Sequence, residues 1–136
     1  MNNPIKCRKA KFWLEDGVLF CVFIPKECDN QFKDDFIEDF LKAIALLSNG
    51  SYYPLLIDLR QLSNANAFSV VKILAKNPEL KMAILSKSFV VNSYFMQFTI
   101  LFCKRIQDPV IPNKVFRSYE NAIKYSLETN YVFNAY

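Results

Sequence analysis

The 136-residue chain contains no histidine and only two glycines, Gly17 and Gly50. Without histidine it lacks the commonest general base, the usual Ser-His nucleophile pairs and the commonest zinc and iron ligand. Two isolated glycines cannot build a glycine-rich phosphate cradle, so a P-loop or a Rossmann corner is excluded. Four cysteines are present, Cys7, Cys21, Cys28 and Cys103, with no C-x-x-C spacing to suggest a metal or redox pair. No secretory hydrophobic region forms near the start, because "EDG" interrupts the apolar run after Leu14. The most apolar stretch, Ser88 to Cys103, is shorter than the ~20 residues of a spanning helix, and it carries Asn92, Ser93, Gln97 and Thr99. The expectation is a cytoplasmic chain with reduced thiols, no transmembrane segment, no cofactor and no metal.

Charge is also sparse. The net charge is +4, and basic residues cluster only at Lys6, Arg8, Lys9 and Lys11. A nucleic-acid footprint needs a larger basic face, so this cluster reads as a solvated terminus and no nucleic-acid partner is expected. What the chain has in quantity is apolar and aromatic surface. It is 52% hydrophobic, with thirteen Phe and seven Tyr, which supports one folded domain with a sizeable core. The aromatic excess fits either a Phe-rich core or an interface.

"KFWLEDGVLFCVFI" (11–24) reads as a β-hairpin around Asp16-Gly17, a pair suited to a type I′ turn. "DNQFKDDFIEDFLKAIALLSNG" (29–50) reads as an amphipathic helix capped by Asp29 or Asn30 and stopped by Gly50. Its acidic residues Asp34, Asp35, Glu38 and Asp39 complement the helix dipole; a carboxylate metal site is the sharper but unsupported alternative. "PLLIDL" (54–59) is a buried strand, and a helix follows from about Asn66 to Lys76, stopped by Asn77-Pro78. "KMAILS" (81–86) is the next strand, Ser88–Arg105 a long helix, and "KVFR" (114–117) a fourth buried strand. "SYENAIKYSLE" (118–128) is the last helix, capped by Ser118. The order ββαβαβαβα predicts an α/β single domain with a mixed, mainly parallel sheet and helices packed on it. Residues 1–10 form a basic N-terminal segment, 11–130 the domain and 131–136 an aromatic tail.

Taken together, "KFWLEDGVLF", "YPLLIDLRQL", "ILAK" and "VIPNKVFRSYENAIKYSLE" resemble the STAS/SEC14-like domains, also called SpoIIAA-like, of a Bacteroidetes branch. The resemblance implies a STAS-like fold and a non-enzymatic regulatory or binding role. In the anti-sigma-factor antagonists of that fold, a D-S-S-G corner carries a serine phosphorylated by a partner kinase. Laid on that corner, Asn66 stands at the Asp, Ala67 at the phosphorylated serine, and Phe68 and Ser69 on the next two positions. The hydroxyl is therefore missing where the switch needs it, although Ser63 and Ser69 lie nearby.

Two places remain as candidate sites. Asp58 interrupts an apolar strand, where an unpaired charge is costly, and Arg60 follows on the same side. With Ser63, Asn64 and Asn66 they form either a contact surface or small-anion site, or an internal ion pair followed by helix caps. The second place is the Ser88–Arg105 helix. Its Phe89, Tyr94, Phe95, Phe98 and Phe102 occupy more than the single stripe that a sheet-packed helix buries. They fit ordinary burial under the aromatic tail, a homodimer, or an apolar ligand or lipid in the manner of the SEC14-like relatives. The expected function is a STAS-like regulatory or protein-interaction module, with an unknown protein partner or a homodimer. An apolar-ligand or lipid carrier is the alternative, and enzymatic activity is not expected.

Overall fold

Asp16 and Gly17 turn the chain with φ of 52° and 77°, the left-handed pair that a two-residue type I′ hairpin requires. They join β2 (Ala10–Glu15) to β3 (Val18–Phe23), which pair antiparallel with Phe12 opposite Cys21 and Trp13 opposite Phe20. The computed structural model describes residues 4–24, 36–103 and 112–134. Before the hairpin, the short strand β1 (Ile5–Lys6) adds antiparallel to β2. After it come α1 (Phe36–Ser48), β4 (Tyr53–Asp58), α2 (Asn64–Ala75), α3 (Pro78–Lys81), β5 (Ile84–Val90), α4 (Tyr94–Phe102), β6 (Asn113–Phe116) and α5 (Tyr119–Asn134).

The six strands lie in the sheet in chain order, β1 to β6. The β1–β2 and β2–β3 pairs are antiparallel and the three later pairs parallel. The sheet is thus mixed rather than mainly parallel, because the segment before β2 also pairs and extends the antiparallel half. "KVFR" does not supply a fully buried strand either. β6 is an edge strand with one neighbour, and its residues are half-buried or exposed.

Helices α1, α2 and α4 cover one face. Phe12 and Phe40 meet edge-to-face at 4.7 Å, and Ile57, Val71, Leu74, Phe89, Met96 and Ile100 continue the same core. Asn49 and Gly50, both at positive φ, end α1 as helix C-termini commonly do; the expected caps Asp29 and Asn30 lie outside the described residues. Among the described residues α5 alone covers the other face, over Val18, Phe20, Leu56 and Val90. Its end is tied down by Asn134 Nδ2, which donates to the Tyr52 carbonyl at 2.8 Å. Residues 131–134, expected as a tail, are therefore helical.

The largest departure concerns residues 88–93. Ser88, Phe89 and Val90 finish β5, and α4 begins only at Tyr94. Ser93 is the N-cap, its Oγ accepting from Met96 N at 3.2 Å. Strand and helix share one apolar run, and only the polar pair Asn92-Ser93 separates them. Cys103, expected within the helix, is its C-cap.

Candidate functional site

β4 ends on Asp58, whose neighbours across the sheet are Val22 and Val90. A carboxylate 7% exposed among apolar neighbours requires donors, and Arg60 supplies three. Its backbone N and Nε donate to Asp58 Oδ1 at 3.0 and 2.9 Å, and its Nη2 to Oδ2 at 2.8 Å. This is the bidentate fork that guanidinium geometry favours. The Arg60 guanidinium also lies 4.9 Å from the ring centre of Tyr119, at the start of α5, within cation–π range. The hydrogen bond to Asp58 pushes the Arg60 pKa up against the opposing effect of burial. Burial raises the Tyr119 hydroxyl, Asp58 adds to the rise, and Arg60 opposes it. Asn92 Nδ2 donates to the Arg60 carbonyl at 3.3 Å, so the turns after β4 and β5 are joined.

The other corner residues begin α2. Ser63 is its N-cap, with Oγ accepting from Asn66 N at 3.2 Å, and Asn64 is its first residue. Ala67 is buried in the first turn. The strands also stand in sequential order, without the reversal that opens a ligand crevice in doubly wound sheets. At the corner the Asp58 charge is thus paired and Ser63 is a cap.

The aromatic residues divide differently. Phe89 is fully buried in β5 and belongs to the core. Met96 and Ile100 point α4 inward, each 3% exposed, and fill the space between helix and sheet. Tyr94, Phe95, Phe98 and Phe102 are 59%, 68%, 52% and 77% exposed, and Leu101 beside them 41%. Tyr94, Phe98 and Phe102, spaced i, i+4, stack at 6.4 and 6.0 Å with ring planes 21° and 16° apart. The Arg117 guanidinium caps this ladder, 3.5 Å from the Tyr94 ring centre. The helix contains no charged residue. Its two non-aromatic polar side chains are both bonded within the chain: Gln97 Nε2 to the Val115 carbonyl at 3.5 Å, Thr99 Oγ1 to the Phe95 carbonyl at 2.6 Å.

Several residues escaped sequence reasoning. In the sequence Arg117 stands only as the end of a strand; its stacking on Tyr94 has no local signal. Lys87 is 1% exposed in β5, between Leu55 and Asn113 in register, an unusual position for lysine. Ser86 and Ser88 in β5 and Ser126 in α5 are fully buried, and among the described residues their hydroxyls have no hydrogen-bond partner. Of the acidic run in α1, only Glu38 and Asp39 are described, and among the described residues no group of His, Cys, Asp or Glu could hold a metal. Among the same residues no helix is long and apolar enough to cross a membrane.

Fold and site together define an α/β domain with a mixed sheet, an ion-paired polar corner and a helix, α4, with a stacked and exposed aromatic ladder. The chain belongs to the DUF7793 family, a domain of unknown function, whose family model matches residues 12–130. The match runs from β2 into α5 and includes the corner and α4. No curated protein and no solved structure matches the chain significantly.

Proposed function

We propose that the chain is a non-enzymatic, STAS-like protein-interaction module of the cytoplasm that docks its partner on the aromatic face of α4. The observation that carries this reading is the ladder Tyr94–Phe98–Phe102, flanked by Phe95 and Leu101 and exposed along its length. Scattered surface hydrophobics are ordinary, but a contiguous aromatic patch on a helix is the kind of surface that binds protein. The internal bonding of Gln97 Nε2 and Thr99 Oγ1 supports it further, because one donor of each is already satisfied within the chain when a partner covers this face. The corner serves the scaffold: Asp58 and Arg60 complete each other, Ser63 caps α2, and Ala67 offers no hydroxyl for a kinase. The alternation of β3 to β6 with helices and the resemblance of "YPLLIDLRQL" and its neighbours support the STAS-like assignment.

The test is affinity capture from the native host with the wild type, Phe98→Asp and Arg60→Ala proteins, each shown to be folded by circular dichroism. Partners kept by Arg60→Ala and lost by Phe98→Asp are the expected result. Capture that Phe98→Asp leaves unchanged refutes α4 as the docking face.

A further inference from the structure

We propose that the occupant of the α4 face is a second copy of the same chain, packed α4 against α4 about a two-fold axis. This rests on the docking reading above and names its partner.

In a two-fold contact each surface patch meets itself, so a charged patch opposes its own formation and an uncharged one does not. No residue from Tyr94 to Phe102 carries a charge. The nearest described cation, Arg117, is held against Tyr94 at one end of the ladder, which is the rim of such a contact and not its centre. Desolvation costs less for the same face because Gln97 Nε2 and Thr99 Oγ1 each already donate within their own chain. A lipid surface is less well matched, because helices lying on a bilayer place Lys and Arg along their polar face and α4 has neither.

The area is also appropriate. At about 200 Å² per aromatic side chain, the exposed fractions of Tyr94, Phe95, Phe98, Leu101 and Phe102 amount to on the order of 600 Å². Buried on both copies this gives roughly 1,200 Å², the lower bound for a specific interface. The ladder runs along an i, i+4 row, and two identical rows of that kind interlock at a crossing of about −50°. Phe98, the middle rung, then lies beside the two-fold axis and faces its own counterpart.

The test is the mass of the full chain by sedimentation equilibrium across micromolar concentrations. The expected result is twice the 15.9 kDa of one chain. Phe98→Asp would set two carboxylates facing at the axis and raise the dissociation constant at least about thirtyfold, as loss of a central hot spot does. Phe102→Glu, at the most exposed rung, provides a second variant should Phe98→Asp misfold, and Tyr131→Asp on α5 should leave the dimer intact. A wild type that stays monomeric, or a dimer broken by Tyr131→Asp and not by the α4 variants, overturns the proposal. So does a monomer that co-sediments with phosphatidylcholine–phosphatidylserine vesicles through Phe98, which would make the occupant lipid. If a monomeric wild type still captures a host protein that Phe98→Asp loses, the second copy is refuted while the docking face stands. If both capture the same proteins, both readings fall.

Discussion

Gly17, at the tip of the β2–β3 hairpin, and Asn130, in the next-to-last turn of α5, lie in contact so close that a Cβ on Gly17 would overlap the Asn130 side-chain amide. The same amide continues into a chain of bonds: Asn134 Nδ2 donates to Asn130 Oδ1 and to the Tyr52 carbonyl, both at 2.8 Å. The end of the last helix is thereby fitted to the first hairpin and to the entry of β4.

Gly17→Ala should therefore destabilise the fold through two separable effects. Its φ of 77° disfavours any side chain, and the new methyl group displaces Asn130; together they should cost about 1–3 kcal/mol. Urea unfolding of Gly17→Ala, Asn130→Ala and the double variant separates them. The double variant should recover the steric part only, and strict additivity would show that the contact does not matter.

Arg60→Ala leaves the Asp58 carboxylate buried without its fork. Arg60 is itself partly exposed, so water can replace some of the lost bonds, and a loss of about 2 kcal/mol is expected. Arg60→Lys should fall between, since an ammonium cannot reproduce the bidentate geometry. Equal midpoints for all three proteins in denaturant would mean that the pair contributes nothing.

The buried hydroxyls predict the opposite direction. Ser88 and Ser126 are fully buried and their Oγ atoms have no partner among the described residues, so Ser88→Ala and Ser126→Ala remove a desolvation cost and almost no packing. Ser126→Ala also raises helix propensity. Each should be neutral or stabilising by up to about 1 kcal/mol, seen as a rise in thermal midpoint. A clear fall would reveal a bound water or a partner for these groups.

Tyr119 sets an alkaline limit. Its pKa lies above the ordinary 10.0, chiefly through burial, so the folded protein holds the phenolic proton more firmly than the unfolded chain does. That contribution is full below pH 10 and is lost as pH rises through the folded value. Stability should fall as pH rises above about 10, and Tyr119→Phe, which keeps the ring under Arg60 and cannot ionise, should fall less. Superimposable pH profiles would dissociate Tyr119 from the alkaline loss.

The sequence was most legible where chemistry is local. Asp16-Gly17, Gly50 and the Ser63 and Ser118 caps each act within a few residues, and Ser118 Oγ accepts from Asn121 N at 3.2 Å as a cap should. It was least legible where one composition serves two structures. Phe89 to Phe102 reads as a single helix, since Phe, Val and Tyr suit strand and helix surfaces alike; only the polar pair Asn92-Ser93 marks the break. β1 spans two residues, too few to show alternation, and its pairing depends on β2. The helicity of residues 131–134 depends on Tyr52, 82 residues before Asn134. Among the site residues, the Asp58–Arg60 pairing follows from a charge in an apolar strand, whereas the outward turn of Phe95 and Phe98 follows from Met96 and Ile100 having taken the inner face.

The order of the strands bears on how the molecule comes into being. Each strand from β2 onward lies beside the one made just before it, so a growing chain can extend the sheet by one edge at a time, with no gap held open for a later arrival. α5 departs from that pattern: it emerges after every strand, yet it shields β3, β4 and β5 and reaches back to Gly17. Until it lands, the ribosome-bound sheet shows Phe20, Leu56 and Val90 to whatever is near, and a chaperone would find them there.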